Sequence, residues 1–92
     1  MFASQLFDLS GKIAVITGAS SGLGQGAATV LAAHGAQVVA IARREEKLNS
    51  WSASAQGETS ILAADLSDRS ALADIAAEAS RPFGTPNILI NA

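Results

Sequence analysis

Glycines and small hydroxyl residues crowd one short stretch near the start of the chain, TGASSGLG from Thr17 to Gly24. Glycine permits a tight turn and brings backbone amides close to a ligand, because no Cβ intervenes. A helix that begins after such a loop presents free N–H groups and the positive end of its dipole, which together bind phosphate groups. The stretch therefore predicts a loop that binds the pyrophosphate of a nucleotide. Its candidate residues are Gly18, Ser20, Ser21, Gly22, Leu23 and Gly24.

The three glycines of this stretch are expected to serve different purposes. Gly18 allows the turn out of the preceding strand, Gly22 lets the backbone approach the pyrophosphate, and Gly24 lets the following helix lie close to the sheet. A P-loop is excluded, since no Gly-Lys-Ser/Thr follows at the required spacing. The alternative is that the small residues only allow tight packing between a strand and a helix.

Two arginines follow the second apolar segment, in AIARREEK. In dinucleotide-binding units an acidic residue at the end of the second strand binds the 2′-hydroxyl of the adenosine ribose, whereas an arginine accommodates a 2′-phosphate. Ala42 has no carboxylate to repel a phosphate, and Arg43 and Arg44 would attract one. The segment therefore favours NADP as the cofactor, with NAD as the other candidate. The alternative is that both arginines begin a solvated helix and pair with Glu45 or Glu46.

Apolar segments and turn residues divide the chain into alternating strands and helices. Short apolar runs predict strands at Ile13–Thr17, Gln37–Ala42, 60–64 and 87–91. Helical spacing predicts three helices, which begin at Gly22, span 45–56 and follow Ser67. This alternation is typical of an α/β fold, in which a parallel sheet carries helices on both faces. No linker or repeat divides the sequence, so a single domain over residues 1–92 is expected.

Several residues are expected to begin, line or end these helices. The apolar stripe of the first helix consists of Leu23, Ala27, Val30, Leu31 and His34. Gly35 stands where a glycine ends a helix, and Ser67 is expected to cap the third helix with Asp68 in its first turn. Trp51 is expected to be a partly buried helix residue. His34 is expected to lie at a helix end and to have no catalytic role.

Together these motifs resemble the short-chain dehydrogenases/reductases. TGASSGLG looks like the cofactor fingerprint of that family, and FDLSGKIAVITGAS resembles its usual opening. Asp65 and Leu66, after the third strand, are similar to its adenine-contacting pair. In NILINA, Asn91 matches the first Asn of the family's N-N-A-G segment and Ala92 replaces the second. The resemblance implies the N-terminal part of a Rossmann-type doubly wound parallel sheet, with about four strands and three helices.

The resemblance also implies a function and further site residues. It implies an oxidoreductase that transfers hydride between NADP(H) or NAD(H) and a carbonyl or alcohol of a small molecule, in a homo-oligomeric full-length protein. The opening and ARREEK resemble the sugar-alcohol or 3-oxoacyl reductase type. Asp65, Leu66, Asn91 and Ala92 join the candidate cofactor-binding residues. As alternatives, Asp65 caps a loop or a helix, and Asn91 is a buried amide with satisfied hydrogen bonds.

Catalytic residues of the family are not expected in this chain. The family's Tyr acid/base, with its supporting Lys, Ser and Asn, follows the fourth strand, and the 92 residues contain no Tyr. We therefore expect a partial dinucleotide-binding domain, a fragment that carries the adenosine and pyrophosphate half of the cofactor site. On its own it is expected to be marginally stable or self-associating through an unpaired apolar edge at the fourth strand, with weak cofactor binding and no turnover.

Composition narrows the function classes. A net charge of -2 with 15% charged residues provides no basic surface for nucleic acid. No apolar run reaches the ~18 residues of a transmembrane helix. Without Cys, and with one His, the sequence predicts no metal site, and a cytoplasmic location is expected.

Two other function classes stay open. A non-catalytic nucleotide-binding module is favoured by the lack of an acid/base residue. A methyltransferase also places a Gly-rich loop after its first strand, but it uses an acidic residue at the end of the second strand for the ribose hydroxyls. Ala42, Arg43 and Arg44 argue against that second class.

Overall fold

A computed structural model describes residues 8–20 and 22–92 of the chain. Within them, four strands alternate with three α-helices, as the sequence predicts. The strands are β1 (Ile13–Thr17), β2 (Gln37–Ala42), β3 (Thr59–Ala63) and β4 (Ile88–Asn91). The helices are α1 (Gly22–Ala33), α2 (Glu45–Ser54) and α3 (Leu72–Ala79), and a 3₁₀-helix at Arg69–Ala71 leads into α3. Predicted boundaries at β3, β4 and the end of α2 differ from these by one or two residues.

The four strands form one parallel sheet in the order β3-β2-β1-β4. The central strands β1 and β2 are buried almost throughout, which explains their continuous apolar sequences, because a parallel strand covered on both faces has no polar side. β4 pairs with β1 along one edge only. The predicted α/β architecture is confirmed.

Side chains of successive strand residues point to opposite faces of the sheet, and each face has its own apolar cluster. Ala14 and Ile16 of β1 pack with buried residues of α1 and α2, whereas Val15 packs with Ala79 of α3. Helices therefore cover both faces, as the doubly wound arrangement requires.

α1 packs against the sheet through its smallest residues. Gly24, Ala28 and Ala32 are its buried residues, whereas Leu23 and Val30 are 86% and 56% exposed. The predicted apolar stripe is therefore wrong as the core-facing surface of α1 at Leu23 and Val30, although Leu31 does pack against the core. The physical reason is that residues without large side chains let the helix backbone approach β1 closely, which turns the larger side chains towards a groove that also contacts Ile90.

The ends of α1 and α2 follow the predicted chemistry. Gly35 has φ +101°, and the N–H groups of Gly35 and Ala36 donate to the carbonyls of Ala32 and Leu31, both at 3.1 Å, which is a Schellman motif. His34 lies at this helix end, with Nδ1 2.8 Å from the Val30 carbonyl oxygen. Trp51 of α2 is more deeply buried than predicted, at 5% exposure.

Ser67 does not cap the third helix. The N-cap of the 3₁₀-helix is Asp68, whose carboxylate accepts from the Ser70 N–H, and α3 begins only at Leu72. The predicted cap at Ser67 is wrong because the Ser67 hydroxyl donates to Asp65 instead. A carboxylate at Asp68 takes the capping position.

Candidate functional site

All four strands end at the same edge of the sheet, because they are parallel. Backbone hydrogen bonds fix the start of the loop that follows each of three strands. Ala19 N–H donates to Ile41 at 3.1 Å, Ala64 N–H to Ala42 at 2.9 Å, and Ala92 N–H to Thr17 at 3.2 Å. The segments after β1, β3 and β4 are thereby held against neighbouring strands at this edge.

These segments enclose a cleft with a volume of about 390 Å³. Six residues that the sequence analysis selected line it, although they come from four separate parts of the chain. They are Gly18, Ser20, Arg43, Asp65, Leu66 and Ala92. Ser67 also lines the cleft. Parallel strand order brings together residues up to 74 positions apart, as expected for a ligand site at the carboxyl edge of such a sheet.

Gly18 and Gly24 are required by close backbone packing. Gly18 has φ +68°, and a Cβ on it would lie 2.5 Å from the Ala92 carbonyl oxygen. A Cβ on Gly24 would lie 2.3 Å from the Gly18 carbonyl oxygen. Gly24 thus permits close packing as predicted, although its nearest neighbour is the loop that leaves β1. Tight packing therefore accounts for these two glycines.

Gly22 is different, because packing does not require it. A Cβ on Gly22 would meet no described heavy atom within 4 Å, and the residue is exposed at the first position of α1. The first turn of α1 has no acidic residue to repel an anion. The space beside Gly22 can therefore accept a phosphate group at the N-terminus of the helix.

The other residues of the glycine-rich loop have different positions. Ser20 is half-buried in the cleft wall. Leu23 does not line the cleft but lies in the exposed groove beside Ile90. Ser21 lies outside the described residues.

Arg43 and Arg44 are both exposed just after β2. Across residues 8–20 and 22–92 the one ion pair joins Arg81 and Glu78, so neither arginine pairs with Glu45 or Glu46, although Arg44 does stand at the start of α2, as the alternative expected. Arg43 lines the cleft, whereas Arg44 occupies the N-cap position of α2 and does not line it. The guanidinium of Arg43 is available to an anionic ligand in the cleft.

Asp65 places a carboxylate in the lining of the same cleft. Its Oδ1 accepts from the Ser67 hydroxyl at 2.7 Å and from the Ser67 N–H at 3.0 Å. These two bonds, with a smaller contribution from the Arg43 charge, hold the pKa of Asp65 below its ordinary value. Asp65 thus shapes its own loop, as the alternative suggested, and also lines the cleft. No described group donates a hydrogen bond to its Oδ2.

Asn91 ends β4 and is exposed, so the alternative of a buried amide is wrong. Its Oδ1 accepts a hydrogen bond from the Thr17 hydroxyl. The bond fixes the side-chain amide at the junction of β1 and β4 and leaves the amide N–H groups as donors. Asn91 does not line the cleft, but the adjoining Ala92 does.

The described residues offer few competing sites. A concavity of about 410 Å³ beneath α3 is lined by apolar residues such as Val15, Ile75 and Leu89 and by no charged side chain. None of the described helices has the length and apolar character needed to cross a bilayer. The described part of the chain also has no group of three metal-ligating side chains.

Ser67 is the cleft residue that the sequence analysis misassigned. A signal was present, because Asp-x-Ser occurs at 8–10, 65–67 and 68–70. In each case the Asp Oδ1 accepts both the N–H and the hydroxyl of the Ser two residues later. The spacing therefore predicts a local turn in which the serine holds the carboxylate.

Comparison with known proteins finds a matching protein family and several dehydrogenases of similar sequence. Residues 12–92 match the short chain dehydrogenase family. A 2-dehydro-3-deoxy-D-gluconate 5-dehydrogenase from Dickeya dadantii is 41% identical over 86 residues, which cover 92% of this chain and 34% of that protein. This chain covers between 28% and 34% of the length of three curated relatives.

Two solved structures extend the similarity to folded proteins with a bound cofactor. A metagenomic short-chain oxidoreductase in complex with NADP is 39% identical with a TM-score of 0.78, over 89% of this chain and 38% of that one. L-sorbose reductase from Gluconobacter frateurii, complexed with NADPH and L-sorbose, is 31% identical with a TM-score of 0.77. The match covers 90% of this chain and 33% of that reductase.

Proposed function

Because this chain belongs to the short chain dehydrogenase family, we propose that it forms the adenosine and pyrophosphate side of the cofactor site in an NADP(H)-preferring oxidoreductase. The observation that carries the proposal is one cleft whose lining combines the glycine-rich loop, an arginine without an ion-pair partner among the described residues, and a carboxylate. This combination fits a dinucleotide with one additional phosphate.

Each part of the cleft suits one part of the cofactor. The loop at Gly18 and Ser20 in the cleft, with the open space at Gly22 in the neighbouring groove beside Ile90, binds the pyrophosphate through backbone N–H groups at the start of α1. Arg43 binds the 2′-phosphate of the adenosine ribose, and Ala42 leaves that phosphate free of like-charge repulsion. Asp65 and Leu66 contact the adenine. Ala92 also lines the cleft, and the adjoining Asn91 offers its amide N–H groups to the remainder of the cofactor.

The whole protein is then a reductase or dehydrogenase of small-molecule carbonyls or alcohols. The nicotinamide supplies or accepts the hydride when the cofactor is bound. The residues of this chain hold the cofactor, and the proton on the substrate oxygen must be handled elsewhere, since no Tyr occurs among the 92 residues. The relatives named above include enzymes of sugar acids and sugars, which supports a polyhydroxylated substrate. A cytoplasmic location and a homo-oligomer belong to the same proposal, by the family resemblance.

Binding of NADPH, NADH and S-adenosylmethionine to the purified protein tests the cofactor assignment. NADPH is expected to bind most tightly. Arg43→Ala should weaken NADPH binding about tenfold, at the lower end of the range for a hydrogen bond to a charged group because the site is exposed. The same variant should leave NADH binding unchanged. Arg44→Ala is the matched control, since Arg44 does not line the cleft, and it should alter NADPH binding less than about threefold.

Other results of these binding measurements would refute the preference for NADP or favour another function. Equal affinity for NADPH and NADH would refute the preference for NADP. Binding of S-adenosylmethionine alone would favour a methyltransferase. NADPH binding without turnover by the whole protein, and not only by the 92 residues, would support the second candidate, a non-catalytic nucleotide-binding module, which the absence of Tyr favours.

A further inference from the structure

The carboxylate of Asp65 is held at one oxygen only. Its Oδ1 accepts two hydrogen bonds from Ser67, at 2.7 Å from the hydroxyl and 3.0 Å from the N–H, while Oδ2 has no partner among the described residues. A carboxylate oxygen has more than one acceptor site, so Oδ2 retains its full capacity as an acceptor. Both Asp65 and Ser67 line the cleft, although both are exposed.

Two donors on one oxygen restrict rotation of the side chain. A free exposed aspartate samples several rotamers, and a ligand that needs one of them must order the side chain when it binds. Ser67 orders Asp65 before the ligand arrives. The hydroxyl contributes a bond that Ala at position 67 would remove, whereas the backbone N–H would remain.

We propose that Ser67 is a positioning residue for base recognition, whose hydroxyl holds Asp65 so that Oδ2 accepts a hydrogen bond from the exocyclic amine of adenine. The proposal rests on the proposed function, because it assumes that the adenosine end of a dinucleotide occupies the cleft. The adenine contact of Asp65 is already part of that proposed function, and what is new is the role of Ser67, whose hydroxyl makes the site prefer a 6-aminopurine to a 6-oxopurine. A 6-oxo group would face the carboxylate with an acceptor, and two acceptors repel.

The hydrogen bonds from Ser67 also affect the charge of Asp65. The two bonds from Ser67 lower the pKa of Asp65, and Arg43, the other charged side chain lining the cleft, lowers it further. Loss of the Ser67 hydroxyl should therefore raise the pKa of Asp65 towards the ordinary value of an aspartate. The carboxylate would then protonate at a higher pH than in the wild type and lose its acceptor strength earlier on acidification.

A second copy of the same turn provides a matched control close by. Asp68 Oδ1 accepts from the Ser70 hydroxyl at 2.6 Å and the Ser70 N–H at 3.1 Å. Neither Asp68 nor Ser70 lines the cleft. The Ser70→Ala variant therefore removes an equivalent hydroxyl bond at an equivalent exposed turn without touching the cleft.

The test compares NADPH with its deamino analogue, in which hypoxanthine replaces adenine. Dissociation constants are measured for wild-type protein and for the variants Ser67→Ala, Ser67→Thr and Ser70→Ala. The wild type should prefer NADPH. Ser67→Ala should weaken NADPH binding by about 3- to 10-fold, the range for one hydrogen bond, and leave the analogue unaffected, so that the preference falls by the same factor. Ser67→Thr retains a hydroxyl and should restore the preference, and Ser70→Ala should keep it.

NMR titration of the Asp65 carboxyl provides a readout that a purely structural role would not move. The Asp65 pKa should rise in Ser67→Ala and stay low in Ser67→Thr and Ser70→Ala. A Ser67→Ala protein that keeps the wild-type preference for NADPH overturns the proposal, as does a wild type that binds both cofactors equally. Failure of the wild type to bind either cofactor would instead refute the proposed function.

Discussion

Two glycines in α1 provide a direct test of how the glycine-rich loop and the helix fit together. Gly24 and Gly26 lie two residues apart in the same helix, and neither has a positive φ. A Cβ on Gly24 would lie 2.3 Å from the Gly18 carbonyl oxygen and 2.8 Å from its carbon, whereas a Cβ on Gly26 would meet nothing within 4 Å. The same substitution to Ala should therefore have opposite effects at the two positions.

The magnitudes follow from two opposing terms. Ala in place of Gly within a helix stabilises by about 0.5–1 kcal/mol, through helix propensity and a less flexible unfolded chain. At Gly26 nothing opposes this gain. At Gly24 the contacts are backbone atoms of a loop that Ala19 N–H ties to β2, so they cannot rotate away. Overpacking of this kind costs about 1–3 kcal/mol. Gly24→Ala should lower the free energy of unfolding by about 1–2 kcal/mol, since the clash exceeds the propensity gain.

Urea unfolding followed by tryptophan fluorescence measures this difference. Trp51 is the sole Trp of the 92 residues, and its indole N–H donates to the Thr29 hydroxyl of α1 at 2.8 Å. It therefore reports on the packing of α2 against α1. An unchanged m-value confirms that the midpoint shift reflects stability. If Gly24→Ala proves as stable as Gly26→Ala, the close approach between α1 and the loop is wrong.

Two further predictions concern the edges of the described structure. Gly22→Ala should change the free energy of unfolding by less than about 0.5 kcal/mol from the wild-type value, as at unconstrained surface positions. The same variant should weaken NADPH binding about tenfold, because the new methyl group occupies the proposed phosphate position. Wild-type affinity in this variant would place the phosphate elsewhere. Leu89 is 70% exposed on the edge strand β4, so the 92-residue chain should self-associate in sedimentation experiments as its concentration rises, and Leu89→Lys should reduce that association. A wild-type chain that stays monomeric throughout would contradict this.

Strand and helix order could be predicted because it depends on local sequence. The apolar runs of β1 and β2 have no polar side, and Gly35 marks the end of α1 through a backbone conformation that glycine adopts readily. The core-facing side of α1 could not be predicted in the same way. Apolar periodicity favours Leu23 and Val30, but the helix approaches β1 through Gly24, Ala28 and Ala32. The distance between a helix and a sheet is a tertiary property, and small residues become the buried face only when that distance is short.

The candidate site could likewise be predicted in its overall position but not in every side chain. Motif spacing located the residues that converge on the cleft, because parallel strands must end at one edge. It did not distinguish Arg43, which lines the cleft, from Arg44, which lies beside it at the start of α2. That difference depends on the direction in which the chain leaves β2, which decides which of two consecutive residues lies at the cleft. The sequence also predicted Ser67 as the N-cap of the third helix, since serine is a good N-cap. In the structure Asp68 occupies the N-cap position of the 3₁₀-helix instead.

Capping by Asp68 links the turn after β3 to the cleft. Two consecutive Asp-x-Ser turns extend from Asp65 to Ser70, and the second begins the 3₁₀-helix that leads into α3. Because Asp68 supplies the cap, the Ser67 hydroxyl is available to hold Asp65. Exchange of the capping carboxylate for Ala would leave the Ser70 N–H without its acceptor and weaken the start of the 3₁₀-helix, but it would leave both bonds between Ser67 and Asp65 in place. Helix initiation and carboxylate positioning are thus separate tasks of adjacent turns, and substitutions at Ser67 and Ser70 can distinguish them.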